Sequence, residues 1–210
     1  MIDYVFPGNI DDRILARTVN LLLEGGIAAI PTDTSWSIVC SMKSREGIKK
    51  LRRLSGERDE GRFTLLCSNI SQFGEFCSLD NTRFRLIKRL TPGPYVFILK
   101  TLLGTEKTLG LRRPELGIRF PDHPVPVSLI NALECPLYSV TAKKNTEESG
   151  LDLDFEEDSL FEGGWELEAI NGLDLILDPG EYRNRIYSTV LDMREGDVGL
   201  VRQGAGAWPV

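Results

Sequence analysis

Residues 25–34 read Gly-Gly-Ile-Ala-Ala-Ile-Pro-Thr-Asp-Thr, and this stretch decides the fold class. The two glycines end the amphipathic pattern of residues 11–24, because glycine adopts the left-handed backbone that closes a helix. The apolar run that follows, residues 27–30, is short enough to be a buried strand. Polar residues come directly after it, where α/β sheets bind their ligands. The stretch therefore predicts a helix, a buried strand and a candidate site in succession.

The same two patterns continue along the rest of the chain. Helices are predicted at residues 11–24, 44–54, 81–90 and 124–133. Strands are predicted at residues 27–30, 35–40, 63–67, 95–99, 117–120, 137–141, 173–177, 188–192 and 198–202. Helices and strands alternate early and strands cluster late, which indicates an α/β fold with a mixed sheet. Since no linker divides the pattern, we expect residues 1–210 to form a single domain.

The composition excludes several classes of protein. The chain has 210 residues with 25 Lys and Arg against 31 Asp and Glu, a net charge of −6, and it is 41% hydrophobic. A disordered chain would be less apolar, and no apolar run approaches the ~20 residues that cross a bilayer. The first residues lack the basic and apolar regions of a secretory signal. We therefore expect a soluble, cytoplasmic protein that does not enter a membrane.

The cysteines and the single histidine give little support for a metal site. Cys40, Cys67, Cys77 and Cys135 form no C-x-x-C pair, and His123 has no second histidine beside it. We expect buried free thiols of the kind found in a reducing compartment, and no metal ligands. Because His123 precedes a proline suited to a first helical turn, we expect it to cap that helix.

The charges are unevenly distributed. Residues 145–172 contain ten acidic residues and no Lys or Arg, and we interpret them as an acidic surface excursion with short helical pieces around 155–161 and 165–170. Residues 43–62 contain eight basic residues, and a second basic group lies at residues 83–89. Such patches attract the phosphates of a nucleotide or of RNA. Solvated helix faces with ordinary charge pairs are the alternative, and the sequence leaves both open.

Polar residues at element ends are candidates for binding. Thr32, Asp33 and Thr34 would hold a small polar ligand or form a turn, since these residue types also favour turns. Lys50 supplies a point charge and Arg52 a fork that grips phosphate oxygens, unless both belong to a charged helix end. The other candidates at strand ends are Ser139, Thr141, Ser188 and Arg202.

Six segments in this order resemble the YrdC-like family of threonylcarbamoyl-AMP synthases. They are the helix-Gly-Gly stretch with residues 27–34, Lys50-x-Arg52, Thr91-Pro92-Gly93-Pro94, Ile118-Arg119-Phe120-Pro121, Ser188-Thr189-Val190-Leu191-Asp192 and Arg202-x-Gly204. Cys40 and the segment Phe63-Thr64-Leu65-Leu66-Cys67 are similar to the YciO-like branch. Each segment alone is weakly specific, whereas six in the right order are strongly specific.

The resemblance implies a twisted, open mixed sheet flanked by helices, with a concave basic cavity. It implies a nucleotidyltransferase that joins L-threonine, bicarbonate and ATP, bound with Mg²⁺, into threonylcarbamoyl-adenylate for t6A modification of tRNA at adenosine 37. A non-catalytic module that binds double-stranded RNA or tRNA through the same cavity is the alternative. No covalent nucleophile is needed, because positioning and electrostatic stabilisation suffice for this chemistry.

The resemblance also assigns residues. Thr32, Thr34 and Trp36 are expected on the substrate side. The nucleotide side is expected to include Lys50, Arg52, Arg62, Ser139, Thr141, Ser188 and Arg202. The chain departs from the family pattern at Lys143, where the family has Asn, at Trp36, where it has Tyr, and at residues 62–64, where it has Lys-Pro-Leu. These departures touch the pockets expected for threonine and the nucleotide.

Overall fold

A ten-stranded mixed sheet is the centre of the computed structural model, which describes residues 1–6, 8–55, 63–105, 114–144, 159–180 and 185–208. The strands are β1 (Ile2–Tyr4), β2 (Ala28–Ile30), β3 (Ser37–Ser41), β4 (Thr64–Leu66), β5 (Tyr95–Lys100), β6 (Glu115–Arg119), β7 (Leu137–Thr141), β8 (Leu175–Asp178), β9 (Thr189–Asp192) and β10 (Gly199–Arg202). The helices are α1 (Asp12–Leu23), α2 (Arg45–Ser55), α3 (Ser71–Phe76), α4 (Asn81–Leu90), α5 (Pro124–Leu133) and α6 (Gly164–Leu167).

The strand order is β1-β8-β2-β3-β7-β4-β6-β5-β9-β10. Four of the neighbouring pairs are parallel, namely β1 with β8, β8 with β2, β4 with β6 and β5 with β9, and the other neighbours are antiparallel. The expected open mixed α/β sheet is therefore confirmed. In the described part of the chain, no helix is both long and apolar enough to cross a bilayer.

Helices lie on both sides of the sheet and cover two apolar clusters. One cluster is formed by α2 and α4 against the sheet and includes Leu51, Ile87 and Phe97, all fully buried. The other lies under α1 and α5 and includes Leu22, Leu129 and Leu66. Burial of these side chains is the main favourable contribution to the stability of the fold.

One area of the sheet has a different pattern of burial. Thr64, Val96, Ile98, Gly117 and Val190 are half-buried, whereas the residues between them on the same strands are fully buried in the first cluster. Thr64 is in register with Gly117, Gly117 with Ile98, and Val96 with Val190, so these side chains share one face of the sheet. We call these five residues the open face. It lies on the same side as α1 and α5, beyond the apolar cluster that they cover.

Most predicted elements are confirmed within a few residues. The helices predicted at residues 81–90 and 124–133 begin and end as expected. The strand β1 and the helix α3 were not predicted. In the acidic excursion, α6 overlaps the helical piece expected at residues 165–170, and most of the piece expected at 155–161 lies outside the described residues.

Candidate functional site

A buried arginine joins three separate parts of the chain at the border of the open face. Arg119 Nη1 donates hydrogen bonds to Thr34 Oγ1 at 3.0 Å and to Ser188 Oγ at 2.7 Å. Arg119 Nη2 forms an ion pair with Asp33 Oδ1 at 2.5 Å. We call Asp33, Thr34, Arg119 and Ser188 the Arg119 cluster. It connects the turn after β2, the end of β6 and the residue before β9.

The turn after β2 is shaped by Thr32. Its hydroxyl accepts hydrogen bonds from the backbone N–H of Thr34 at 3.2 Å and of Ser35 at 3.3 Å, and it donates to the Ser35 carbonyl at 2.7 Å. The interpretation as a turn is therefore confirmed for Thr32, and the interpretation as a ligand site stays a prediction. Thr32 forms the turn, as such residues do, and the turn presents Thr34 and Asp33 to Arg119.

Ser188 connects the two arginines of the site. Its hydroxyl accepts from Arg119, and its carbonyl accepts from Arg202 Nε at 3.0 Å and Nη2 at 2.8 Å. The Arg202 guanidinium also lies 4.8 Å from the ring centroid of Tyr187, in the range of a cation–π contact. Lys143 Nζ lies 5.6 Å from the same ring. Two cations thus flank the residue that precedes Ser188.

Both arginines belong to the side of the sheet that carries the open face. Arg119 follows Gly117 by two positions on β6, and Arg202 is in register with Val190 on β9. Since strand side chains alternate between faces, Arg119 and Arg202 point to the same side as Gly117 and Val190. The site is therefore a half-buried stretch of sheet with guanidinium groups and hydroxyls along its border.

His123 lies beside the Arg119 cluster but acts as a helix cap. Its Nδ1 accepts a hydrogen bond from the Val125 N–H at 3.2 Å at the start of α5, which confirms the expected cap. Burial lowers the pKa of His123, with smaller opposing effects from the charges of Asp33 and Asp122. A lowered pKa favours the neutral imidazole, which is the form whose nitrogen accepts this bond.

Ser139 and Thr141 lie on β7, beside the open face rather than in the Arg119 cluster. Ser139 is in register with Thr64 and donates a hydrogen bond to the Thr64 carbonyl at 2.9 Å. Thr141 is in register with Ser37 and is half-buried. Both residues therefore share the side of the sheet that Thr64 and Gly117 occupy.

Three other predicted residues lie elsewhere. Lys50 Nζ binds Asp174 Oδ2 at 3.0 Å, and this carboxylate also accepts from the Ile27 N–H at 2.9 Å. Since Ile27 and Asp174 precede the parallel strands β2 and β8, Lys50 lies at the end of β2 opposite to Thr32.

The other two, Trp36 and Arg52, are on the α2 side of the sheet. Trp36 is 1% exposed and packs in the apolar cluster that contains Leu51 of α2. Arg52 is exposed on α2. Burial raises the pKa of Tyr138, and the charge of Arg52 opposes this rise. Arg62 falls outside the described residues. The structure thus brings together Thr32, Thr34, Ser188 and Arg202, and it separates them from Lys50 and Trp36.

Arg119 received no role from the sequence, and Asp33 was a candidate only for holding a small polar ligand or forming a turn. Arg119 is in the quoted segment Ile118-Arg119-Phe120-Pro121, and Asp33 lies between two predicted threonines. A cation directly at the end of a strand, after apolar residues at alternate positions, is the signal that could have identified Arg119. Its side chain is 5% exposed, and a buried guanidinium requires an anionic partner, which points in turn to Asp33.

The arrangement is suited to oxyanions. A guanidinium forms paired hydrogen bonds with the oxygens of a carboxylate or a phosphate, and hydroxyls complete such a shell. In the described part of the chain, no group of three or more His, Cys, Asp or Glu residues is arranged to hold a metal ion.

Comparisons with known proteins place the chain in a family. The model of the Sua5/YciO/YrdC family, described as telomere recombination, matches residues 20–204. The Escherichia coli protein YciO is 30% identical over 204 residues, which cover 97% of this chain and 95% of YciO. Human threonylcarbamoyl-AMP synthase is 27% identical over 197 residues, 90% of this chain and 67% of the human protein.

Solved structures agree in fold. The crystal structure of E. coli YciO superposes with a TM-score of 0.80 at 27% identity and covers 99% of this chain and 97% of YciO. Sua5 of P. abyssi, crystallised in complex with L-threonine, gives a TM-score of 0.81 at 20% identity over 97% of this chain and 57% of Sua5. With the match to the family model over most of its length, the chain belongs to the Sua5/YciO/YrdC family.

Proposed function

We propose that this protein condenses L-threonine, bicarbonate and ATP into L-threonylcarbamoyl-AMP and pyrophosphate. Membership of the family supports a nucleotidyltransferase of this type, as does the similarity to human threonylcarbamoyl-AMP synthase. The likeness in fold to a Sua5 structure that contains L-threonine supports L-threonine as a substrate. The product would serve the t6A modification of tRNA at adenosine 37.

The observation that carries the proposal is the Arg119 cluster at the border of the open face. The reaction first joins the threonine amine to bicarbonate as a carbamate, with loss of water. A carbamate oxygen then attacks the α-phosphorus of ATP, the bond from that phosphorus to the bridging oxygen breaks, and pyrophosphate leaves. Negative charge accumulates on phosphate oxygens in this step, so fixed guanidinium and hydroxyl donors lower its barrier.

The roles follow from the positions. Thr34 and Arg119 would hold the carboxylate or carbamate, and Ser188 and Arg202 would hold the phosphates. We propose Ser139 and Thr141 as further contacts along β7, and Mg²⁺ as an ion that enters with ATP. Since a carbamate decomposes in water, binding all reactants together on one protected surface would raise the rate.

The proposal is tested by incubating the protein with MgATP, bicarbonate and L-threonine, and by measuring pyrophosphate and the adenylate product by mass spectrometry. The variant R119K keeps the charge but loses the fork, and we expect kcat/KM to fall about tenfold or more. R83K is the matched control, because the guanidinium of Arg83, at the start of α4, pairs with the Asp80 carboxylate and donates to the Met193 carbonyl. Absence of pyrophosphate release with any amino acid would overturn the proposal.

Binding of RNA without turnover is the second candidate. Lys49 and Arg53 on α2, and Arg85 and Lys88 on α4, are exposed, and both helices pack on the side of the sheet opposite to the open face, so this surface differs from the shared cavity expected from the sequence. Counterion release predicts that binding of tRNA or double-stranded RNA to such a surface falls steeply as salt is raised. Salt-dependent binding by a protein that releases no pyrophosphate would favour this candidate over the enzyme.

A further inference from the structure

The segment that follows β10 turns back across the start of β9, opposite the Arg119 cluster. The Gly204 N–H donates to Thr189 Oγ1 at 3.0 Å, and Thr189 Oγ1 donates to the Gly206 carbonyl at 2.6 Å. The Ala205 N–H donates to the Tyr187 carbonyl at 2.9 Å. We call residues 204–208 the strap. One threonine hydroxyl thus fixes it at two points.

The strap is also fixed further along. Tyr95 Oη donates to the Ala207 carbonyl at 2.9 Å, and Trp208 packs against the apolar cluster under α2 and α4. A Cβ at Gly204 would collide with the Tyr187 carbonyl, and one at Gly206 would collide with the Tyr95 ring. Only glycine allows so close an approach of the strap to the sheet.

The strap and the Arg119 cluster lie on opposite faces of the same strand end. The Ser188 hydroxyl meets Arg119, on the side of the open face. Thr189 is in register with Tyr95, which belongs to the apolar cluster under α2 and α4, and Thr189 is fully buried on that side of the sheet. Neighbouring strand residues point to opposite faces, so the strap reaches the hydroxyl that Arg119 contacts through the backbone of residues 187–189 and through Arg202, which binds the Ser188 carbonyl.

We infer that the strap holds the start of β9 so that Ser188 meets Arg119, and that Thr189 is a positioning residue for the nucleotide side of the site. This inference rests on the proposed function in so far as Ser188 binds the nucleotide. Because Thr189 is buried on the opposite face, it acts through the strap and the backbone of Tyr187 and Ser188, and not by contact with the ligand. Its hydroxyl is therefore required for affinity although it does not touch the ligand.

The first measurement examines the strap itself. T189V keeps the volume of the side chain but leaves the Gly204 N–H and the Gly206 carbonyl without their partner. We expect amide exchange at Gly204 and Ala205 to accelerate about tenfold or more in T189V, and to recover in T189S. T18V is the matched control, because Thr18 is also fully buried and its hydroxyl donates to the Ile14 carbonyl at 2.8 Å, far from the strap.

The second measurement examines positioning. By calorimetry with MgATP, we expect T189V to weaken binding about fivefold or more and T189S to restore it, while T18V binds as the unmodified protein does. S188A should weaken binding as well, and the double variant S188A/T189V should bind no more weakly than S188A. Unchanged exchange in T189V, unchanged affinity, or effects that add in the double variant would each overturn the inference.

Failure of the proposed function gives a different result. If the unmodified protein binds no ATP, the enzyme proposal fails. The positioning role is then tested by urea unfolding of the unmodified protein, S188A, T189V and S188A/T189V. Coupling through the backbone predicts that the effects of S188A and T189V on the folding equilibrium constant differ from additivity by about threefold or more. Additive effects would overturn the positioning role of Thr189.

Discussion

At the scale of single residues, the site depends on the buried charge of Arg119, which would be unfavourable without a partner. Arg119 is 5% exposed and Asp33 is 13% exposed at the side chain, so little water solvates either charge. A buried ion is tolerated when it is paired and when its remaining donors have acceptors. Thr34 and Ser188 provide those acceptors. The same hydroxyls that suit a ligand therefore also stabilise the buried Arg119–Asp33 pair.

The buried thiols give a prediction about stability at high pH. Burial raises the pKa of Cys40 from 9.0 to about 12, whereas in the unfolded chain the thiol ionises near its ordinary pKa. Between these values the folded state binds more protons, so the free energy of unfolding is unaffected below about pH 9 and falls as pH rises toward 12. We expect C40A to remove up to about 1.4 kcal/mol of this fall for each pH unit.

Urea unfolding at about pH 8 and about pH 10.5 checks this prediction. V39A is the control, since Val39 precedes Cys40 on β3, is equally buried and does not titrate. V39A should lower stability by the same amount at both pH values. If C40A and V39A show the same dependence on pH, the thiol keeps its ordinary pKa in the folded protein.

At the scale of elements, helix boundaries were predictable where local chemistry decides them. α4 begins after Asp80, whose carboxylate accepts from the Arg83 N–H, and α5 begins with Pro124 after the capping His123. β1 was not predicted because its three residues are held by parallel pairing with β8, at the other end of the chain. Such a strand owes its structure to distant residues and leaves little local pattern.

Replacement of two glycines by alanine, one after a helix and one inside a helix, is expected to change stability in opposite directions. Gly25, after α1, has φ +94°, and a Cβ there would lie 2.9 Å from Glu46 Cβ. Gly74, inside α3, has nothing within 4 Å of its Cβ position. We expect G25A to destabilise the protein by about 1–2 kcal/mol and G74A to stabilise it by about 0.5–1 kcal/mol.

Thermal unfolding of both variants measures this difference. For a chain of this size, 1 kcal/mol corresponds to a shift in Tm of about 2–4 °C. The two shifts should have opposite signs. A rise in Tm for G25A would mean that the left-handed closure of α1 is not required.

At the scale of the whole molecule, the sequence predicted the class of sheet but not its order. The open face exists because β4, β6, β5 and β9 are neighbours, although β9 lies far along the chain from the other three. Thr34 and Ser188 were predictable as residues at strand ends, and their contact with Arg119 depends on this order. Lys50 was predicted at the nucleotide site, and its ion pair with Asp174 could not be predicted because it depends on the position of β8 beside β2.

The open face gives a prediction that concerns the whole site. A Cβ at Gly117 would lie 3.4 Å from Val96 Cγ1 and 3.5 Å from Thr64 Oγ1, which are ordinary contacts, so the folded sheet accepts a side chain there. The longer side chain of G117L would extend over the open face and occupy the space that a ligand needs. We expect G117L to weaken binding of MgATP or L-threonine by about tenfold or more, because displaced ligand contacts of about 1.4 kcal/mol correspond to that factor.

Calorimetry and thermal unfolding together decide this prediction. G117A is the control, since its methyl group stays within the contacts already present and should leave binding unchanged. Both variants should keep Tm within about 4 °C of the unmodified protein, since a difference of about 1 kcal/mol is the most that we expect. If a folded G117L binds both ligands normally, they do not lie on the open face, and the Arg119 cluster serves only to join the turn after β2 to β6 and β9.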